Sequence, residues 1–152
     1  MNKHHTTIKI ASLMATTLLI TACSNKVDTM PDRSHSPCGD KPNCVSTQDS
    51  RADFNLAPYP LKGDVSIDQI ESIALSFPRA TVATKESHYL RVEYRSKVFR
   101  FVDDMEMRIE DGQLLVRSES RTGYSDFNVN RKRADALRDK LLQADLIFAD
   151  NH

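Results

Sequence analysis

Asp111-Gly112 constrains this chain more than any other pair of residues, because it stands between two runs of alternating polarity. A two-residue type I′ hairpin loop needs positive φ at both central positions, and Asp-Gly tolerates that. The turn therefore joins two antiparallel strands, and their register follows by counting outward. Ile109 faces Leu114, Met107 faces Val116, Met105 faces Ser118, Asp103 faces Ser120 and Phe101 faces Thr122. On the other side Glu106 opposes Arg117, a pair worth ~0.2–1 kcal/mol. Asp104 opposes Glu119, with Arg117 and Arg121 diagonally beside them.

The same period of two appears upstream. Leu90, Val92 and Tyr94 alternate with Arg91, Glu93 and Arg95, and 98–110 places Phe99, Phe101, Met105, Met107 and Ile109 on one face. Thr81 to Thr84 reads as a further short strand. The expectation is a four-stranded antiparallel meander with one apolar face and one solvated face carrying Arg91, Glu93, Arg95, Arg100, Glu106 and Arg108. Before it, Ser66-Ile67-Asp68-Gln69 has the form of a capping box. Ile67, Ile70, Ala74 and Phe77 recur at helical spacing, and Pro78 ends the run. A second helix is expected over 129–142, with Val129, Leu137 and Leu141 on one stripe, Arg133 interrupting it, and Asp126 or Asn128 at its start. Two helices beside one half-polar sheet make this an α+β fold with both helices packed on one face.

The beginning of the chain has a different character. Lys3 and Lys9 stand there without an acid, and an apolar stretch runs from Ile10 to Ile20. That stretch is far short of the roughly 20 residues that cross a bilayer as a helix, and the order is that of a secretory signal. It ends in Leu19-Ile20-Thr21-Ala22-Cys23, which resembles the site where bacterial lipoproteins are cut and acylated. The resemblance implies a signal peptide over 1–22, a lipidated Cys23 opening a flexible tether over 23–37, and a single domain over 38–152. Ser24 stands where an Asp would commonly signal inner-membrane retention, which implies the periplasmic face of the outer membrane in a bacterial cell envelope.

Lys plus Arg and Asp plus Glu balance at 21 each, so loss of Lys3 and Lys9 with the leader leaves a net charge of −2. That is no footprint of a nucleic-acid binder. Three cysteines remain. Cys38 and Cys44 enclose Gly39-Asp40-Lys41-Pro42-Asn43, rich in turn formers, so their sulfurs can meet. An oxidising compartment favours a disulfide, with free thiols as the alternative. The closed loop would contribute only ~2 kcal/mol. Five intervening residues do not match a redox pair, and His35, His88 and His152 do not cluster with them into a zinc site. No cofactor or metal is expected.

The hairpin register turns Asp103 toward the core, between Phe101 and Met105, with Ser118 and Ser120 opposite. An unpaired carboxylate there costs several kcal/mol. Arg121, Tyr124, Ser125, Asn130, Arg131 and Arg133 follow closely enough to supply donors. Two readings stand: a network that locks the fold, or a polar cleft in which Arg121 and Arg131, with Asp103, Ser118, Ser120, Tyr124, Ser125, Asp126 and Asn130, take an anionic ligand.

Cys38-x-x-x-Pro42-Asn43-Cys44-Val45-Ser46, Phe101-Val102-Asp103-Asp104-x-Glu106, Arg117-Ser118-x-Ser120-Arg121-x-Gly123-Tyr124-Ser125-Asp126 and Asn130-Arg131-x-Arg133 occur in this order. Together they resemble the signatures of a bacterial and plastid family, domain of unknown function 1499. The resemblance covers about residues 38–142. Many members have Pro where Gly39 stands and Gly where Asn128 stands. The resemblance implies no particular activity.

Three functions compete. The first is a non-catalytic lipoprotein that binds a small anionic or lipid-like ligand, or an envelope protein partner, while its acyl chains hold the membrane. The second is a hydrolase using Ser118 or Ser120 with Asp103. A nucleophilic serine needs a base, and His88 is the only histidine in the sheet region. With no nucleophile elbow or phosphate loop present, no catalytic residue is assigned. The third is an assembly protein acting through its charged strand surface.

Overall fold

The computed structural model describes residues 30–149. The expected signal segment, Cys23 and the first part of the tether lie outside the described residues. Along the chain come β1 (Cys44–Ser46), α1 (Ile67–Leu75), β2 (Ala80–Lys85), β3 (Tyr89–Arg95), β4 (Val102–Glu110), β5 (Gln113–Ser120) and α2 (Val129–Gln143). The strands form one antiparallel sheet in the order β1-β5-β4-β3-β2. The class is α+β as expected, but the sheet has five strands instead of four. The extra strand, β1, begins at the second cysteine and is too short to show a period.

The hairpin register holds throughout β4 and β5. Ile109 pairs with Leu114, Met107 with Val116, Met105 with Ser118 and Asp103 with Ser120. Asp111 and Gly112 have φ of 49° and 72°, the two left-handed residues that a type I′ loop requires. At the start of α1 the Ser66 amide donates to Gln69 Oε1 at 2.9 Å, the reach-back half of a capping box.

The helical face of the sheet is apolar. Leu90, Val92, Tyr94, Met105, Met107, Leu114 and Val116 are buried against Ile67, Ile70 and Ala74 of α1 and Ala134, Leu137 and Leu141 of α2. Two phenols anchor the helices: Tyr94 donates to the Ala74 carbonyl at 3.1 Å, and Tyr59 to the Ala134 carbonyl at 3.0 Å. Burial pushes the Tyr59 hydroxyl up to about 12, against the opposing pull of Arg138. The stripe of α2 is Asn130, Ala134, Leu137 and Leu141. Val129, expected on it, is exposed because the helix starts one residue before its buried face.

The other face corrects the sequence reading. It is not solvated: Arg91 and Glu106 are 0% exposed, and Asp104 and Arg117 nearly so. Residues 30–36, expected as tether, lie over it as a strap. Arg33 holds Glu106 through its backbone amide at 2.6 Å and its Nε at 3.0 Å, and reaches Glu119 at 2.6 Å. Asp32 pairs with Arg108, and His35 approaches Glu110 at 2.9 Å. Tyr89 donates to Glu106 at 3.0 Å, and Arg91 pairs with Asp104 at 3.2 Å. Of the polar residues expected in water, Arg91 and Glu106 are therefore buried under the strap.

The strap leads into a disulfide between Cys38 and Cys44, whose Cα atoms are 5.7 Å apart. Asp49 fastens this loop, accepting from the Cys38 amide at 2.9 Å and from Arg51 Nη2 at 2.7 Å. Hydrogen bonds from Arg51, against the effect of burial, hold the Asp49 carboxyl well below the usual carboxylate range.

Candidate functional site

The polar spot predicted in the core exists. Asp103 is 7% exposed, accepts from the Ser120 hydroxyl at 2.5 Å and from Arg133 at 2.9 Å. Arg133 also lies 4.5 Å over the Tyr94 ring. Asn130 completes the cluster. Its amide donates to the Asn43 carbonyl at 3.1 Å and to Ser120 at 3.0 Å, and its oxygen accepts from Ser118 at 2.6 Å and Arg133 at 3.0 Å. Both amide protons and both lone pairs are thereby used. The cluster couples β4, β5 and α2 with the residue just before β1 and satisfies itself.

Other residues grouped with Asp103 from sequence go elsewhere. Arg121 lies on the opposite face of the sheet, with Nε 2.7 Å from Asp104 and Nη2 2.5 Å from Glu93. Its bonds to Asp104, against the effect of burial, and to Glu93 hold the guanidinium above its ordinary range. Arg131 donates to the carbonyls of Asp53 and Asn55 at 3.1 and 3.0 Å. Asp126 accepts from the amides of Asn128 and Asn130 at 3.0 and 2.8 Å and so opens α2. Tyr124 is exposed, and the Ser125 hydroxyl accepts from the Phe127 amide at 3.3 Å. Arg121 and Arg131 do not converge on one point.

What does converge is apolar and lies where two loops meet at the end of the sheet. The first, residues 96–101, joins β3 to β4 and is closed by the Ser96 amide on the Phe101 carbonyl and the Phe101 amide on the Ser96 hydroxyl, both 2.9 Å. The reading that put Phe99 and Phe101 inward fails here. β4 starts only at Val102, and Arg100 at φ 54° breaks the alternation. Phe99 and Phe101 stack with centroids 5.6 Å apart and are 75% and 51% exposed. Val98 is equally open.

The second loop, residues 121–128, joins β5 to α2. Phe127 and Asn128 both adopt left-handed φ, 55° and 64°. A bulky residue there is a conformational outlier. The turn is held by Asp126 and turns the Phe127 ring outward, 85% exposed. Between the loops lies a groove of about 240 Å³ lined by Phe99, Phe101, Phe127 and Val129, with Asp103 and Ser120 also in its wall. Isolated exposed apolar side chains are ordinary, but a contiguous group marks a contact surface. Sequence reasoning missed this group. The one available signal was Val98-Phe99-Arg100-Phe101, where an apolar pair precedes the alternation instead of obeying it.

A family model described as "Protein of unknown function (DUF1499)" matches residues 34–141, and the chain belongs to that family. The match spans the strap from Ser34, the disulfide loop, the sheet and nearly all of α2. No match was found among curated proteins, and none among solved structures.

Proposed function

We propose that this member of the family is a lipid-anchored protein of the bacterial envelope whose domain binds without catalysing, and that it binds through its aromatic end. In this reading residues 1–22 are removed, Cys23 is acylated, and the domain works at the periplasmic face of the outer membrane. The sequence around Cys23 supports the anchor. The observation that carries the binding assignment is a contrast in satisfaction. The Asp103 cluster spends its polar groups on itself, whereas Phe99, Phe101 and Phe127 meet at one groove and stay exposed among the described residues.

The hydrolase alternative rests on the short Ser120–Asp103 hydrogen bond. Among the described residues no histidine stands beside that pair. The His88 carbonyl accepts from the Ile109 amide, six residues along β4 from Asp103 and therefore ~20 Å away. Asp103 is already engaged by Arg133.

The test has two parts. Intact mass of the membrane-extracted protein should show a chain beginning at acylated Cys23, and Cys23→Ala should leave the leader in place. A fluorescent apolar probe should light up on the wild type and on Ser120→Ala, and fail to do so on Phe99→Ser with Phe127→Ser. Labelling by a serine-directed reagent that Ser120→Ala abolishes would put the hydrolase first.

A further inference from the structure

We infer that the aromatic end is a lipid-contacting face, seating the domain on the anionic surface of the bilayer to which the chain is tethered. This rests on the anchor reading above and names the partner of that same surface. Three observations lead to it.

The apolar side chains sit at the tips of two loops, where they can enter an interface without uncovering any strand or helix. Val98, Phe99, Tyr124 and Phe127 are each more than 70% exposed. Tyr rings sit at the headgroup level, and exposed Phe side chains bury at the boundary between headgroups and acyl chains.

The hairpin tip also carries Lys97 and Arg100, both exposed, and no carboxylate among the described residues pairs with either. Exposed cations beside exposed rings complement a surface of anionic headgroups.

The chain itself supplies the direction. Going backward along the strap, His35 lies at Glu110, Arg33 at Glu106, and Met30 at Arg91 and Asp104. The strap thus runs toward the loop end of β4. Ser120 lines both the recess that contains Met30 and the aromatic groove. Cys23 is seven residues before Met30, so a fully extended chain reaches no more than ~25 Å beyond it. An anchor at Cys23 therefore favours this end of the domain as the one turned to the membrane. Confinement by the anchor makes the second contact intramolecular, so weak loop–lipid attraction suffices. Acyl chain and basic-apolar patch act together as two membrane signals.

The experiment uses the full chain purified from membranes and reconstituted in phosphatidylethanolamine–phosphatidylglycerol vesicles. Val98→Cys, Tyr124→Cys and, at the far turn, Asp111→Cys each receive an environment-sensitive dye. Dyes at 98 and 124 should shift to the blue and be quenched by lipids bearing nitroxides on their acyl chains, while the dye at 111 stays in water. Lys97→Glu with Arg100→Glu should return both dyes toward water. Equal exposure of all three dyes to water overturns the inference, as does quenching that appears between copies of the chain and not with lipid. Intact mass on the same sample separates the two claims. An acylated chain with dyes in water leaves the anchor standing and removes the docking. An unacylated chain whose dyes still enter lipid removes the anchor and keeps the docking.

Discussion

The two faces of one sheet are closed by different chemistry. Against the helices, β3, β4 and β5 present Leu90, Val92, Met105, Met107, Leu114 and Val116, and closure is by apolar packing. Beneath the strap the same strands present Arg91, Asp104, Glu106 and Arg117, and closure is by ion pairs with Arg33 and among themselves. The difference teaches that strand alternation tells which residues share a face and not whether that face is wet. An apolar face must be covered by something. A charged face can be covered too, provided the covering segment brings matching charge.

The sharpest way to break the comparison is to remove one carboxylate from the charged face. Glu106→Ala leaves Arg33 and Arg117 to share the partly exposed Glu119 and leaves Tyr89 without its acceptor, and should lower unfolding free energy by ~3–5 kcal/mol in urea titration. Leu137→Ala on the apolar side should cost ~2–5 kcal/mol through its cavity. If the strap face were merely solvated charge, the first variant would be nearly silent while the second was not.

A second measurement probes the helical face by pH. Burial raises the Tyr59 hydroxyl from 10.0 to about 12, so its contribution is complete below pH 10. It drains away as pH rises from 10 through 12. By the usual conversion of about 1.4 kcal/mol per unit, on the order of 3 kcal/mol is lost across that window. Tyr59→Phe should flatten this alkaline slope in denaturation curves recorded at successive pH values. An unchanged slope would detach Tyr59 from the helical face.

The smallest effect belongs to the strap's outer pair. Asp32 pairs with Arg108, both partly exposed. Hydrogen bonds from Ser34 and Arg108, against the effect of burial, lower the Asp32 carboxyl. Asp32→Asn should cost less than ~1 kcal/mol and matter less in high salt. A larger, salt-insensitive loss would mean that the strap closes as one unit with Glu106.

Much of the fold was legible because it is local. Asp111-Gly112 set the register of the central hairpin, Ser66 to Pro78 marked a helix, and the placement of Asp103 beside Ser120 followed from counting. The elements that escaped depend on distant partners. β1 gains its strand character from β5 and a bridge to Asn55, and residues 30–36 look like tether until Glu106 and Glu119 lie beneath them. The aromatic end was misread because alternation was extended past Val102 into a loop that Arg100 turns aside. Arg121 was counted with Asp103, although neighbours in sequence on a strand's end point to opposite faces.

The strap has a mechanical consequence. A pull arriving from the direction of Cys23 loads residue 30 first, and from there the contacts can give way one after another, Arg91 before Arg33 before His35. Peeling then meets the Cys38–Cys44 ring, which is covalently closed and stitched to the sheet through β1. The strap can thus yield like a zip fastener with a stop at its end, so that tension opens the charged face while the helices keep their grip on the other.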